Sequence, residues 1–161
     1  KTFIYALVYG AGDAKIGSVA GGGLNKGKEL KQTFFKNLPS LKILKEKVQK
    51  ASERGFLKGL DGRKIYVRSQ HAALNTLLQG GGAIAMKKAM CFLQALIKLN
   101  DIDAKFVANI HDEWQIEVPT EQADFVGELG VKSIERASEH FKMRCPLTGE
   151  YKIGENWYET H

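Results

Sequence analysis

The sequence predicts an α+β fold from three observations. Helical periodicity fills most of the chain before residue 100, two-residue alternation is confined to short stretches, and the longest of these brackets an acidic turn. Residues 1–9 read as a helix with Phe3, Leu7 and Val8 toward a core, ended by Gly10 and Gly12. Asp13 is placed to cap a short helix reaching about Ala20. Gly21-Gly22-Gly23 breaks the chain, and Asn25 then caps a Lys-rich helix to about Lys36. Pro39 opens the next helix, from Ser40 to about Glu53. Asp61-Gly62 marks a hairpin turn, with Ile65-Tyr66-Val67 as the strand behind it. Residues 71–99 return to helical spacing, with Gly80-Gly81-Gly82 as an interruption. Alternation over 104–118 gives two half-buried strands around a turn carrying His111, Asp112 and Glu113. Thr120 caps a last long helix to about Phe141, and an irregular tail runs from Pro146 to His161.

A chain of 161 residues, 43% hydrophobic and 26% charged, is long enough to bury a core. The net charge of +6 is unevenly spread. Residues 1–70 hold 15 Lys and Arg against 5 Asp and Glu, a balance of +10; the remainder holds 9 against 13, a balance of −4. The first part suits a polyanion and the second offers acidic groups to a cation, although a solvated helix face is the plainer reading of the lysines from Lys26 to Lys50. Cys91 and Cys145 are too few for a disulfide framework, and Cys91 reads as a small buried hydrophobe. Cytoplasm is therefore the expected compartment. No apolar run reaches the roughly 18–20 residues of a membrane span. No signal peptide precedes the opening helix, and a start on Lys-Thr-Phe-Ile-Tyr without Met suggests a piece of a longer protein.

Three sets of residues carry chemistry. Lys1, Tyr5 and Tyr9 are four apart and share one helical face, which offers a cation to phosphate and two rings to a base or sugar. The same spacing suits two tyrosines half-buried in a core with a lysine at a frayed end. His71, Asn75 and Gln79 form a second stripe of hydrogen-bonding groups, suited to base edges or sugars in a groove. Ala72, Ala73, Leu74, Leu77 and Leu78 already supply a buried side, so a solvent-facing stripe fits equally well. In the hairpin, Asp112 is a carboxylate on a rigid frame, as hard divalent cations prefer; it also simply suits a turn. Neighbouring strand residues point to opposite faces, so Asp112 and Glu113 are not expected to chelate one ion together. Two-metal phosphoryl chemistry needs a further carboxylate, and Asp61, Asp101, Asp103 and Glu117 do not provide an obvious one.

Taken in order, these segments resemble the family A DNA polymerases. Lys1-Thr2-Phe3-Ile4-Tyr5-Ala6-Leu7-Val8-Tyr9-Gly10 is similar to that family's motif B on the mobile fingers helix. The run His71 to Gly80 resembles the segment preceding the palm helix, and Ile110-His111-Asp112-Glu113 resembles motif C on the palm hairpin. Gly154-Glu155-Asn156-Trp157 with terminal His161 is similar to the family's ending, and the stretch around Gly59 to Lys64 is most like phage replicative members.

The resemblance implies a helical fingers portion at 1–70, followed by a palm portion at 71–161 with an antiparallel hairpin bearing the metal aspartate. It implies template-directed transfer of nucleotides from dNTPs to a primer 3′-hydroxyl, with Mg²⁺ as cofactor, two ions in the complete enzyme. Lys1 would hold the triphosphate, Tyr5 the nucleotide sugar, and Tyr9 would stack near the template base. Gln79 and Asn75 would touch the nascent duplex in its minor groove, with His71 near the backbone and His111 also toward DNA. Asp112 would be the metal ligand and Glu113 a supporting acid near the primer end. Partners are then primer–template DNA, dNTP and the upstream polymerase regions, in the host cytoplasm if the origin is a phage. The family's motif A aspartate and the Arg one turn before the motif B lysine have no counterpart here, so the isolated chain is expected not to polymerise and to be marginally stable. A single-subunit RNA polymerase would place a small hydroxyl residue where Glu113 stands. A non-catalytic nucleic-acid-binding module remains the alternative of a different class.

Overall fold

The computed structural model describes residues 2–160. In chain order these form α1 (Thr2–Val8), α2 (Asp13–Val19), α3 (Leu24–Asn37), α4 (Pro39–Ser52), β1 (Phe56–Lys58), β2 (Lys64–Tyr66), a single 3₁₀ turn (Gln70–Ala72), α5 (Ala73–Leu99), β3 (Lys105–Ile110), β4 (Glu113–Glu117), a second 3₁₀ turn (Thr120–Gln122), α6 (Ala123–His140) and α7 (Trp157–Thr160). Helices with two small antiparallel hairpins make the chain α+β. It divides into two compact units between Gly80 and Gly81.

In the first unit, α2 and α3 touch backbone to backbone. A Cβ on Gly27 would stand 1.8 Å from the Asp13 carbonyl oxygen, so no residue but glycine fits. Across the same contact Lys31 donates to Asp13 Oδ1 at 2.9 Å. Phe34 of α3 meets Phe3 of α1 edge-on at 5.4 Å. Pro39 stands at the start of α4, where its missing N–H costs nothing. Val48, Leu57, Ala73 and Leu74 form the buried cluster that joins α4, β1 and the beginning of α5.

In the second unit, Ala89, Leu93 and Ile97 recur every fourth residue and are buried. Leu93 and Ile97 join Ile102, Val126 and Leu129 in the core, with Phe106, Trp114 and Ile116 of the hairpin packed on it. Each such aliphatic side chain contributes about 1.5–3 kcal/mol by leaving water. The tail after α6 folds back along that helix. The Leu147 amide donates to Ser138 Oγ at 3.0 Å, Thr148 Oγ1 to Glu135 at 3.1 Å, and the Tyr151 hydroxyl to Asp124 at 3.3 Å.

Several expectations need correction. The glycine run at 80–82 does not interrupt α5, which is continuous from Ala73 to Leu99. Buried Leu74 before it and buried Ile84, Ala85, Ala89 and Leu93 after it outweigh a propensity cost of about 1 kcal/mol per glycine. A side chain at 80 would also strike Ile65 Cδ1, 2.7 Å away. Asp13 is the first residue of α2 rather than its cap, because Lys31 holds its carboxylate. Gly23, not Asn25, precedes α3, and Thr120 lies in the 3₁₀ turn ahead of α6. Cys91 is exposed, since it sits two residues, or about 200°, around α5 from buried Ala89. The tail is not wholly irregular: Asn156 Oδ1 accepts from the Glu159 amide at 3.3 Å and starts α7.

Candidate active-site residues

Motif-bearing residues occur in both units. In the first, Tyr5 and Tyr9 are 59% and 54% exposed, so neither is a core residue. Their rings lie 6.5 Å apart, Tyr5 on α1 and Tyr9 just past its end. Gln79 Nε2 donates to the Tyr9 hydroxyl at 3.5 Å, bringing the two polar stripes together. Gly10 makes this possible. Its φ of +78° turns the chain sharply after Tyr9, and a Cβ there would stand 2.4 Å from the His71 carbonyl oxygen. The end of α1 therefore seats directly on the turn that carries His71. Asn75 is half-buried, and its Oδ1 is buried with no hydrogen-bond partner among the described residues. Lys1 lies outside the described residues.

In the second unit, β3 and β4 pair with Ile110 opposite Glu113. The turn is therefore only His111-Asp112, and Glu113 is the first residue of β4 rather than part of the turn. His111 alone of the pair has positive φ, +53°, a conformation His tolerates better than bulkier or branched residues. Both turn residues are exposed, and the Asp112 carboxylate has no hydrogen bond or ion pair among the described residues.

Val107 is an extra residue in the ladder. Phe106 pairs with Ile116 but Ala108 with Gln115. The bulge keeps Phe106, Trp114 and Ile116 on the core side while Ala108, Ile110, Glu113 and Gln115 share the other. On that outer face Gln115 Nε2 donates to Glu113 Oε1, and Gln115 Oε1 accepts from Thr160 Oγ1 at 3.1 Å. Gln115 and Thr160 were not singled out in the sequence. The signal was the Asn156-x-x-Glu159 capping pattern, which announces a terminal helix able to dock.

Among the described residues, no three His, Cys, Asp or Glu side chains gather into a cation site. One free carboxylate at Asp112 does not meet the oxygen count a divalent ion requires, so the described side chains do not fit a two-ion centre by themselves.

Comparison with known proteins decides the family. A model of DNA polymerase family A matches residues 1–159. This chain belongs to DNA polymerase family A. The DNA-directed DNA polymerase of Enterobacteria phage T3 is 42% identical over 183 residues, covering all of this chain and 26% of the phage protein. The DNA-directed DNA polymerase of Escherichia phage Phieco32 is 40% identical over 168 residues, covering all of this chain and 27% of that protein. The family A chain thus spans about a quarter of the length of these relatives. Its fold is similar to the POL domain of Pol1 from M. smegmatis, solved in complex with DNA primer-template and dNTP. That match has a TM-score of 0.76 at 20% identity, over 84% of this chain and 26% of that one. Family A polymerases depend on divalent metal ions. No described helix is long and apolar enough to cross a membrane.

Proposed function

We propose that this chain is part of a DNA-directed DNA polymerase of replication, with residues 1–70 as a fingers portion and 71–161 as a palm portion. The reaction joins a primer 3′-oxygen to the α-phosphorus of a dNTP, with loss of the hydroxyl proton and departure of pyrophosphate. The observation that carries this reading is the family match over residues 1–159, with Asp112 unpaired at the tip of a tight hairpin.

Asp112 gives one carboxylate to the Mg²⁺ ions of the complete enzyme, and further ligands come from other parts of the polymerase. Those ions, when bound, supply positive charge at the reacting phosphate. Lys1 neutralises the triphosphate, while Tyr5 and Tyr9 offer exposed rings to the incoming nucleotide and template base. Gln79, Asn75 and His71 hydrogen-bond to primer–template DNA. His111 contributes a DNA contact beside Asp112, and Glu113 supports the primer end.

Primer extension tests the proposal with the polymerase containing these residues, its Asp112→Asn form, and the 161-residue chain alone. The expected result is extension by the polymerase, loss with Asp112→Asn despite retained DNA binding, and none by the isolated chain. Undiminished extension by Asp112→Asn would remove Asp112 from the chemistry.

A further inference from the structure

The small hairpin β1–β2 has an outward face whose composition its own packing does not explain. Phe56 pairs with Tyr66 across the strands, Leu57 with Ile65, and Lys58 with Lys64. Alternation puts Leu57 and Ile65 on one side. There Leu57 is 3% exposed, and Ile65 lies against Gly80. The other side carries two aromatic rings and two lysines. Tyr66 is 75% exposed. The Arg54 guanidinium and the Lys64 ammonium each lie 4.8 Å from the centroid of the Phe56 ring, which gathers both cations on this face.

Lysines directly opposite one another repel and destabilise a ladder. No acidic side chain offsets them: Arg54, Lys58, Lys64 and Arg68 have no ion pair among the described residues. The acid in the turn, Asp61, is held by Arg63 at 2.6 Å. The face thus concentrates uncompensated positive charge around a bare ring.

We propose that the outward face of β1–β2 binds single-stranded DNA, with phosphates between Arg54, Lys58 and Lys64 and a base stacked on Tyr66. Cations tracking a backbone beside an aromatic platform are what an unpaired strand requires. A duplex presents phosphates but keeps its bases stacked on each other, leaving Tyr66 unused. The residues of this face are distinct from Tyr5, Tyr9 and Gln79. Choosing DNA as the polyanion rests on the polymerase reading, whereas binding itself does not.

Fluorescence anisotropy of the 161-residue chain tests this with a labelled oligothymidylate of about 16 nucleotides, the upper site size of a stacking groove, and a duplex of equal length. The expected result is single-strand binding that depends on Tyr66, and duplex binding that does not. Tyr66→Ala should weaken single-strand binding about tenfold with an unchanged salt slope, and Tyr66→Phe should restore it. Lys58→Gln with Lys64→Gln should flatten the log–log salt slope by about 1.4, two phosphates at roughly 0.7 each. Circular dichroism establishes that each variant is folded; should Tyr66→Ala not fold, the lysine pair and Tyr66→Ser decide. Absent single-strand binding by the folded wild-type chain, or indifference of that binding to both sets of substitutions, would overturn the proposal. These outcomes are independent of primer extension, so this surface and the polymerase reading fail separately.

Discussion

The hydroxyl of Thr160 donates to Gln115 Oε1 at 3.1 Å, tying the last described helix to the outer face of β4. Gln115 is also bonded through its amide nitrogen to Glu113, which begins that strand beside Asp112. One amide thus links the tail to the acidic hairpin, and both of its polar atoms are used.

Removing the Thr160 hydroxyl by Thr160→Val should cost about 1 kcal/mol, the net value of an ordinary hydrogen bond. Gln115→Glu should cost more, because it replaces a donor to Glu113 with a second carboxylate on the same face. Hydrogen exchange across Trp157–Thr160, with urea unfolding, reads both effects. Wild-type protection of the tail in Thr160→Val would mean that this bridge does not form in solution.

Two nearby glycines should respond oppositely. Gly10→Ala forces a side chain into positive φ and onto the His71 carbonyl, at a cost of about 2 kcal/mol or more. Gly12 has extended backbone, no atom within 4 Å of its ideal Cβ, and the cap position of α2. Gly12→Ser should therefore be neutral, or stabilise by up to about 0.5 kcal/mol through a side-chain cap. Comparing denaturation midpoints tests the pair; equal tolerance at both positions would contradict the close seat of α1 on the His71 turn.

The contrast between legible and illegible features follows from range. The α4 start at Pro39, the β1–β2 turn at Asp61-Gly62 and the alternation around Asp112 are local signals, and each corresponds to an observed element. The continuity of α5 through Gly80 was hidden because it depends on apolar burial on both sides of the run and on Ile65, far away in sequence. Asp13 misled for a similar reason: a competent cap residue was captured by Lys31, eighteen positions on. The exposure of Tyr5 and Tyr9 was undecidable from spacing alone, since core and surface helices share one periodicity. The Val107 bulge was hidden because plain alternation keeps Phe106, Ala108 and Ile110 on one face, whereas the extra residue moves Ala108 and Ile110 to the face opposite Phe106.

Acid should weaken the first unit through the Asp13–Lys31 contact. The hydrogen bond from Lys31 holds the Asp13 carboxyl below its ordinary 3.8. A depressed carboxyl favours the folded state above its unfolded value, and the advantage disappears as pH falls through the lower folded value. Lys45 contributes at the opposite end: burial, and then repulsion from Lys31, hold its ammonium below the ordinary 10.5. That penalty on the charged form is lifted as pH rises through the window just under 10.5. Urea midpoints of wild type and Lys31→Met should therefore converge as the solution is acidified below 3.8. A constant gap between them through that range would show that the contact carries no proton linkage.

Deleting Val107 should separate stability from catalysis. Without it, Phe106, Ala108, Asn109 and Ile110 would pair with Ile116, Gln115, Trp114 and Glu113 in an unbroken ladder. The two-residue turn and the two faces of the hairpin would be unchanged. Val107 itself is 66% exposed, so little apolar burial is lost and the fold should retain stability within about 1 kcal/mol. The bulge does, however, bend and twist its strand, and losing it re-aims the tip that carries Asp112. A displacement of 1 Å there is enough to slow the proposed reaction about a hundredfold. Thermal unfolding close to wild type, combined with slow primer extension by the deletion polymerase, is the expected outcome. Full-rate extension would mean that the aim of Asp112 does not depend on the bulge.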